Sequence, residues 1–325
     1  LDMVGDFEKP RYFAYDAARC AHSRNGVSVC TRCIDSCPAE AIFSIGDQID
    51  VNPNLCQGGG ICATVCPTGA MTYSYPGLAD NGNRLRKMLS TYLQQGGEQP
   101  CLLIHSPMVE RVDRIIDQND YVLPFEVEEL GSVGVEFWLS ALAYGAEQVV
   151  LMMDSEIPES TLAGLCEQLD WFKTLLPELG LARDTVRLVD EMSQLKPGAQ
   201  GTGHEPAQHT MPQDKREAFF LALDHLVSSR QVQQTEVELP DGAAFGQAII
   251  DSERCTLCFS CVSACPGNAL QDASSQNLPE IHFIEGHCVQ CSACVQTCPE
   301  QAITITPRLL LDREMRLQRR LLQQD

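Results

Sequence analysis

Two runs of cysteine near the C-terminus carry the most legible chemistry. One reads Cys255-Thr-Leu-Cys258-Phe-Ser-Cys261-Val-Ser-Ala-Cys265-Pro266, the other Cys288-Val-Gln-Cys291-Ser-Ala-Cys294-Val-Gln-Thr-Cys298-Pro299. Both follow C-x2-C-x2-C-x3-C-P. Three thiolates this close can converge on one iron–sulfur cubane, while the fourth points away and reaches a second cluster. Zinc also takes C-x2-C pairs, but four cysteines in this register, each run closed by proline, fit iron–sulfur ligation far better.

An altered copy of the pattern lies near the N-terminus. Cys30-Thr-Arg-Cys33-Ile-Asp-Ser-Cys37-Pro38-Ala-Glu-Ala-Ile42 and Gly59-Gly-Ile-Cys62-Ala-Thr-Val-Cys66-Pro67-Thr-Gly-Ala-Met71 align with Cys258–Leu270 and Cys291–Ile303. All four stretches share C-x3-C-P-x-x-A and then an apolar residue, a fourfold repeat arranged as two pairs. The shared alanine and its apolar successor are expected to pack beneath the clusters. Two departures stand out. The leading cysteine of the first repeat is Cys20, separated from Cys30 by nine residues where the intact runs have two, so 21–29 forms an inserted loop. In the second repeat Gly59 stands where a ligand belongs, and glycine has no side chain to ligate.

These motifs resemble the bacterial dicluster ferredoxins, and the N-terminal pair resembles their seven-iron members. The crossed ligation of that family implies one [4Fe–4S] cluster on Cys255, Cys258, Cys261 and Cys298, and another on Cys265, Cys288, Cys291 and Cys294. It implies a third on Cys20, Cys30, Cys33 and Cys66. Cys37, Cys56 and Cys62 supply only three thiolates. The seven-iron resemblance implies a [3Fe–4S] cluster there; a cubane with one open iron, or no cluster, are the alternatives.

The elements between must hold these cysteines. Residues 1–79 form an expected N-terminal ferredoxin-like module, with a strand at Gln48–Val51, and 247–307 the C-terminal one, with a strand at Ile303–Ile305. A spacer helix is expected over 80–99, where Arg84, Leu85, Met88, Leu89 and Leu93 recur at helical spacing and Gly96-Gly97 stops them. In 100–195, apolar runs at Cys101–His105, Val122–Val127, Gln148–Met153 and Val186–Val189 alternate with helical stretches, including one from Pro107 to Asp117. That alternation predicts a parallel α/β sheet. The fold class is α+β: two dicluster modules flanking a central α/β domain. Residues 196–246 read as a linker, a helix from Asp214 to Arg230 and an edge strand within Val232–Leu239. His204 and His209 sit in that linker and read as solvated. Residues 308–325 read as a basic tail helix that packs or docks.

Gly131-Ser-Val-Gly134 lies between a strand and a helix, where a phosphate could meet backbone amides. It is neither G-x-G-x-x-G nor a Walker motif, so it reads as a tight turn, and no flavin is indicated. The central region is similar to small α/β iron–sulfur subunits that accompany hydrogenases and heterodisulfide reductases. Only Cys101 and Cys166 occur there, however, so that resemblance carries no cluster; both read as small core residues.

Composition narrows the function. A net charge of −21 disfavours nucleic acid and suits a basic protein partner. All but two of the 17 cysteines fall in the repeats, which points to metal ligation in a reducing cytoplasm rather than disulfides. The longest apolar region, 134–153, contains Glu136 and Glu147 and reads as a core helix and strand, not a membrane span. No nucleophile–base pair or molybdenum signature occurs. The chain therefore reads as an electron-transfer component with up to four clusters, serving redox partners of the formate dehydrogenase or hydrogenase type. The rivals are a flavin- or nucleotide-binding oxidoreductase and a redox sensor or maturation factor for a molybdenum enzyme.

Overall fold

The computed structural model describes residues 9–24, 27–109, 112, 117, 119–191, 204–275 and 278–324. At its centre four strands, β1 (Cys101–His105), β2 (Val122–Glu126), β3 (Gln148–Met152) and β4 (Val186–Val189), form a sheet in the order β4-β3-β1-β2. All three pairings are parallel, as the alternation predicts. β1 and β3 are buried at every position, which is why they read as unbroken apolar runs. Most of the expected 107–117 helix lies outside the described residues.

Four helices pack with the sheet: α1 (Leu78–Gln94), α2 (Val135–Ala143), α3 (Glu159–Leu175) and α4 (Lys215–Ser229). α2 is buried over its whole length and lies against the other three. This accounts for the long apolar region of the sequence without a membrane. No helix among the described residues is long and apolar enough to cross one. The expected spacer, α1, is more than a spacer, because Leu85 and Leu89 are fully buried in the main core. Its end at Gly96, with φ +84°, is the left-handed stop that glycine permits.

The core continues into both cysteine-rich ends. Ile61 and Val65 enter it from the N-terminal side, and Phe245, Leu309 and Leu311 from the C-terminal side. Trp171, Phe219 and Phe245 meet at ring distances of 4.6–6.2 Å. Burying one such ring contributes roughly 1.5–3 kcal/mol, so the ends are docked on the centre rather than tethered to it.

Two expectations are corrected. The described part of the linker, from His204, is a packed strap: Ala207 and Met211 are buried, and the Ala207 amide donates to Ala143 O at 2.8 Å. His204 Nε2 meets Leu142 O at 3.1 Å, and His209 packs at a tilt against Tyr144, so neither is simply solvated. The tail is chiefly strand. The strand Ile303–Leu310 is followed by one short helix, Arg313–Leu317, and then by the strand Arg319–Gln324. That last strand pairs antiparallel with Glu280–Ile284, covering an edge that would otherwise expose its backbone. Several of the basic residues are answered within the molecule: Arg308 and Arg320 both reach Glu285, which is 3% exposed. Arg316, equally buried, pairs with Asp224 and donates to Leu310 O.

Candidate metal centres

Each repeat builds the same local device. A short helix carries the third cysteine: Arg32–Asp35, Ile61–Thr64, Ser260–Ala264 and Ala293–Thr297. After Cys-Pro the chain turns through a left-handed residue, Glu40, Gly69, Asn268 or Gln301, with φ between 48° and 66°. That turn aims the following amides at sulfur. The N–H of Ala41, Ala269 and Ala302 donates to Cys37, Cys265 and Cys298 Sγ at 3.4, 3.2 and 3.3 Å. In the second repeat the donor is Met71, to Cys66 Sγ at 3.4 Å. Such bonds favour thiolate and tune cluster potential. The four alanines and their successors Ile42, Met71, Leu270 and Ile303 are buried, beneath the cysteines as expected.

The cysteines of the repeats gather in four groups. Cys20, Cys30, Cys33 and Cys66 line one hollow of about 320 Å³. Cys265, Cys288, Cys291 and Cys294 line another of about 350 Å³. Cys37, Cys56 and Cys62 line a third, of about 410 Å³, together with Gly59. For the remaining group, Cys261 feels the charges of Cys255, Cys258 and Cys298. Burial, then neighbouring thiolates, pushes Cys261 and Cys62 up to about 12, and raises Cys33 and Cys294 further. Crowded buried thiols of this kind need a cation to become thiolates. Among the described residues no three His, Cys, Asp or Glu side chains converge tightly enough for a single ion. A cubane takes each thiolate on a different iron, so its ligands stand a cluster's width apart. Hollows lined by cysteine, with amides aimed at sulfur, fit iron–sulfur clusters.

The Gly59 loop keeps the backbone of a ligand loop. In the intact repeats Cys258 lies between Leu257 (φ +54°) and Phe259 (φ +59°), and Cys291 between Gln290 (φ +51°) and Ser292 (φ +64°). Gly59 lies likewise between Gly58 (φ +80°) and Gly60 (φ +71°). A Cβ at Gly59 would meet only Pro38 Cγ, at 4.0 Å. The loop is clamped from the central domain. A Cβ on Gly60 would stand 2.5 Å from Ser132 Cα, and Thr64 Oγ1 donates to Gly131 O at 2.7 Å. The Gly131–Gly134 turn is thus a tight turn seated on the cysteine loop.

Several contributors were not visible in the sequence. His22, in the inserted loop, is buried; its Nδ1 meets Cys30 O and its Nε2 meets Ser44 Oγ, both at 2.8 Å. The amide of His22 donates to Cys20 Sγ at 3.4 Å. Lys215 Nζ donates to Ala63 O and Thr64 O at 2.9 and 2.8 Å. Arg216 Nη2 donates to Cys288 O at 2.6 Å. Only the helix cap at Asp214 could have flagged this stretch. Of the other cysteines, Cys101 is buried in β1 as expected, whereas Cys166 is exposed; it lies on the outer side of α3, not in the core. The two cysteine-rich ends also meet: the strand Val27–Ser28 touches the helix Ala293–Thr297.

A model described as a 4Fe-4S dicluster domain matches residues 254–303, and one described as a 4Fe-4S binding domain matches 49–72. Over 42 residues the chain is 45% identical to hydrogenase-4 component A of Escherichia coli (strain K12), covering 13% of this chain and 20% of that protein. Over 43 residues it is 42% identical to the uncharacterized ferredoxin MJ0199 of Methanocaldococcus jannaschii, covering 13% of this chain and 69% of that one. The chain thus spans about a fifth of the hydrogenase component's length and about two thirds of the ferredoxin's.

Proposed function

Because this chain belongs to the ferredoxin-like iron–sulfur proteins, with 4Fe–4S domains toward both ends, we propose that it relays single electrons between redox proteins through up to four clusters. The observation that carries the reading is the gathering of every repeat cysteine into one of four groups, each crossed between the two repeats of its pair. Cys20, Cys30, Cys33 and Cys66 would hold one [4Fe–4S] cluster. Cys255, Cys258, Cys261 and Cys298 would hold a second, and Cys265, Cys288, Cys291 and Cys294 a third. Cys37, Cys56 and Cys62 would hold a [3Fe–4S] cluster, or a [4Fe–4S] cluster with one iron open at Gly59. When bound, such clusters supply one-electron chemistry at potentials set by charge, hydrogen bonds to sulfur and exposure.

The protein's own residues supply the rest. The amides of Ala41, Met71, Ala269 and Ala302 stabilise thiolate at the crossing cysteine of each repeat. Ile42, Met71, Leu270 and Ile303 keep water from beneath the hollows. The central sheet acts as the frame. The net charge of −21 suits partners with basic docking faces, and the match to a hydrogenase component supports a partner of the hydrogenase type, with one of the formate dehydrogenase type as the other candidate. A reducing cytoplasm is the proposed setting. Anaerobic copurification with quantified iron and acid-labile sulfide tests the reading. Iron and sulfide in equal amounts, and reversible one-electron reduction in complex with a captured dehydrogenase or hydrogenase, are expected. A well-folded chain that takes up zinc but no sulfide overturns it.

A further inference from the structure

Three consecutive residues at the start of α4 touch both cysteine-rich ends. Asp214 caps the helix, accepting from the amides of Arg216 and Glu217 at 2.9 Å, and pairs with Arg19 at 2.6 Å. Lys215 holds the carbonyls of Ala63 and Thr64, which lie between Cys62 and Cys66. Arg216 turns the other way. Its Nε donates to Gly286 O, its Nη1 to Ala244 O and its Nη2 to Cys288 O, at 2.8, 2.9 and 2.6 Å. Phe220 and Phe245 flank its guanidinium. Burial lowers its affinity for the proton to about 10, so it remains a cation at neutral pH. A planar fork meeting three carbonyls fixes position as well as charge.

A second contact lies beside this clasp. The loop inserted before Cys30 places the strand Val27–Ser28 against Ala293–Thr297. Just beyond Cys30, Arg32 Nη2 donates to Gly242 O at 2.9 Å.

We infer that the Asp214–Lys215–Arg216 clasp and the insertion before Cys30 lock the two cysteine-rich ends into one rigid unit, with the Val27–Ser28 strand just before Cys30 set against the helix that carries Cys294, so that the two pairs of centres form a single electron path. The inference rests on the proposed ligand groups. It gives the departure at Cys20-x9-Cys30 a purpose, and it orders the groups from Cys37/Cys56/Cys62, through the group of Cys30 and then that of Cys294, to Cys255/Cys258/Cys261/Cys298.

The test uses the full chain, loaded and reduced anaerobically, and reads magnetic interaction between centres by EPR. Reference spectra come from full-length chains in which the cysteines of one end are replaced by alanine. The intact chain is expected to show broadening and faster relaxation absent from the sum of the two references. R216Q is expected to keep its iron and sulfide and the interaction within each end, and to lose the interaction between ends. A fully loaded intact chain whose spectrum equals the sum of the references overturns the inference and leaves the ligand groups standing. R216Q retaining the full interaction overturns the role of the clasp. If R216Q does not load, the intact chain decides the matter alone. A folded chain that never takes up iron and sulfide overturns the ligand groups themselves.

Discussion

Gly131 and Gly59 lie backbone against backbone: a Cβ on Gly131 would stand 2.6 Å from Gly59 O and 3.0 Å from Ile61 N. The turn after β2 of the central sheet therefore sets the position of the loop that lacks a ligand. Gly131→Ala is expected to destabilise the full chain by about 1–3 kcal/mol, since neither backbone can yield cheaply, and to lower iron at the Cys37, Cys56 and Cys62 group. Gly46→Ala is the control. Gly46 has φ +58° but nothing within 4 Å, so only the backbone cost of about 1–2 kcal/mol applies. Thermal unfolding with iron analysis separates the two; equal effects would show that the Gly131 contact carries no weight.

Gly59→Cys is expected to complete the ligand group. Open space at its Cβ and left-handed neighbours on both sides give the new side chain the setting of Cys258 and Cys291. Iron per chain should rise by about one, in keeping with a vacant cubane corner, and the near-isotropic EPR signal of an oxidised three-iron centre should vanish. Unchanged iron and an unchanged signal would mean that the loop is not a simple ligand vacancy.

Asp214 gives a pH dependence. Burial raises its affinity for the proton, but the amides of Glu217 and Arg216 and the Arg19 guanidinium outweigh burial and hold the group below its usual range. A depressed carboxylate contributes stability that is present above its unfolded value, about 3.9, and lost as pH falls through the folded one. Asp214→Ala is expected to cost about 0.5–2 kcal/mol at neutral pH through the lost cap. The difference from the parent chain should shrink steadily on acidification below pH ~4. Denaturant unfolding at several pH values checks this, and a constant difference would contradict it.

Glu285 is buried between Arg308 and Arg320, with contacts of 2.7 and 2.6 Å. Glu285→Ala leaves Arg320 without its carboxylate and Arg308 with Glu236 alone, and since both guanidinium groups keep some access to water a loss of about 1–3 kcal/mol is expected. Arg313→Ala, at an exposed pair 3.6 Å from Asp224, should change stability by less than about 1 kcal/mol. The same unfolding measurement compares them, and similar small losses would refute a structural role for the buried triad.

The cysteine groups and the parallel sheet were legible because both rest on spacing: the ligand pattern repeats four times, and buried parallel strands leave apolar runs at Cys101–His105 and Gln148–Met152. The tail misled for a physical reason. Leu309, Leu310, Leu321 and Leu322 fit a helical face, yet an open edge at Glu280–Ile284 and a buried Glu285 drew the chain into strand. Local pattern carries no information about an unpaired edge elsewhere. The strap at Ala207 and Met211 was hidden likewise, since glycine, proline and histidine around it read as solvent-loving. The roles of Lys215 and Arg216 depend on carbonyls between 28 and 152 positions away, in one direction or the other, which no local window of sequence reveals.

The left-handed turn after each Cys-Pro has an evolutionary consequence. Its work is done by backbone amides, and four different residues, Glu40, Gly69, Asn268 and Gln301, occupy the turning position. Side chains there can drift without altering how sulfur is held. Proline in place of the donor alanines Ala41, Ala269 or Ala302 is what the turn cannot absorb, because it removes the N–H that faces sulfur. The mutational freedom of these repeats is therefore uneven: open at the residue that bends the chain to side chains that tolerate a left-handed backbone, and closed to proline at the residue whose amide faces sulfur.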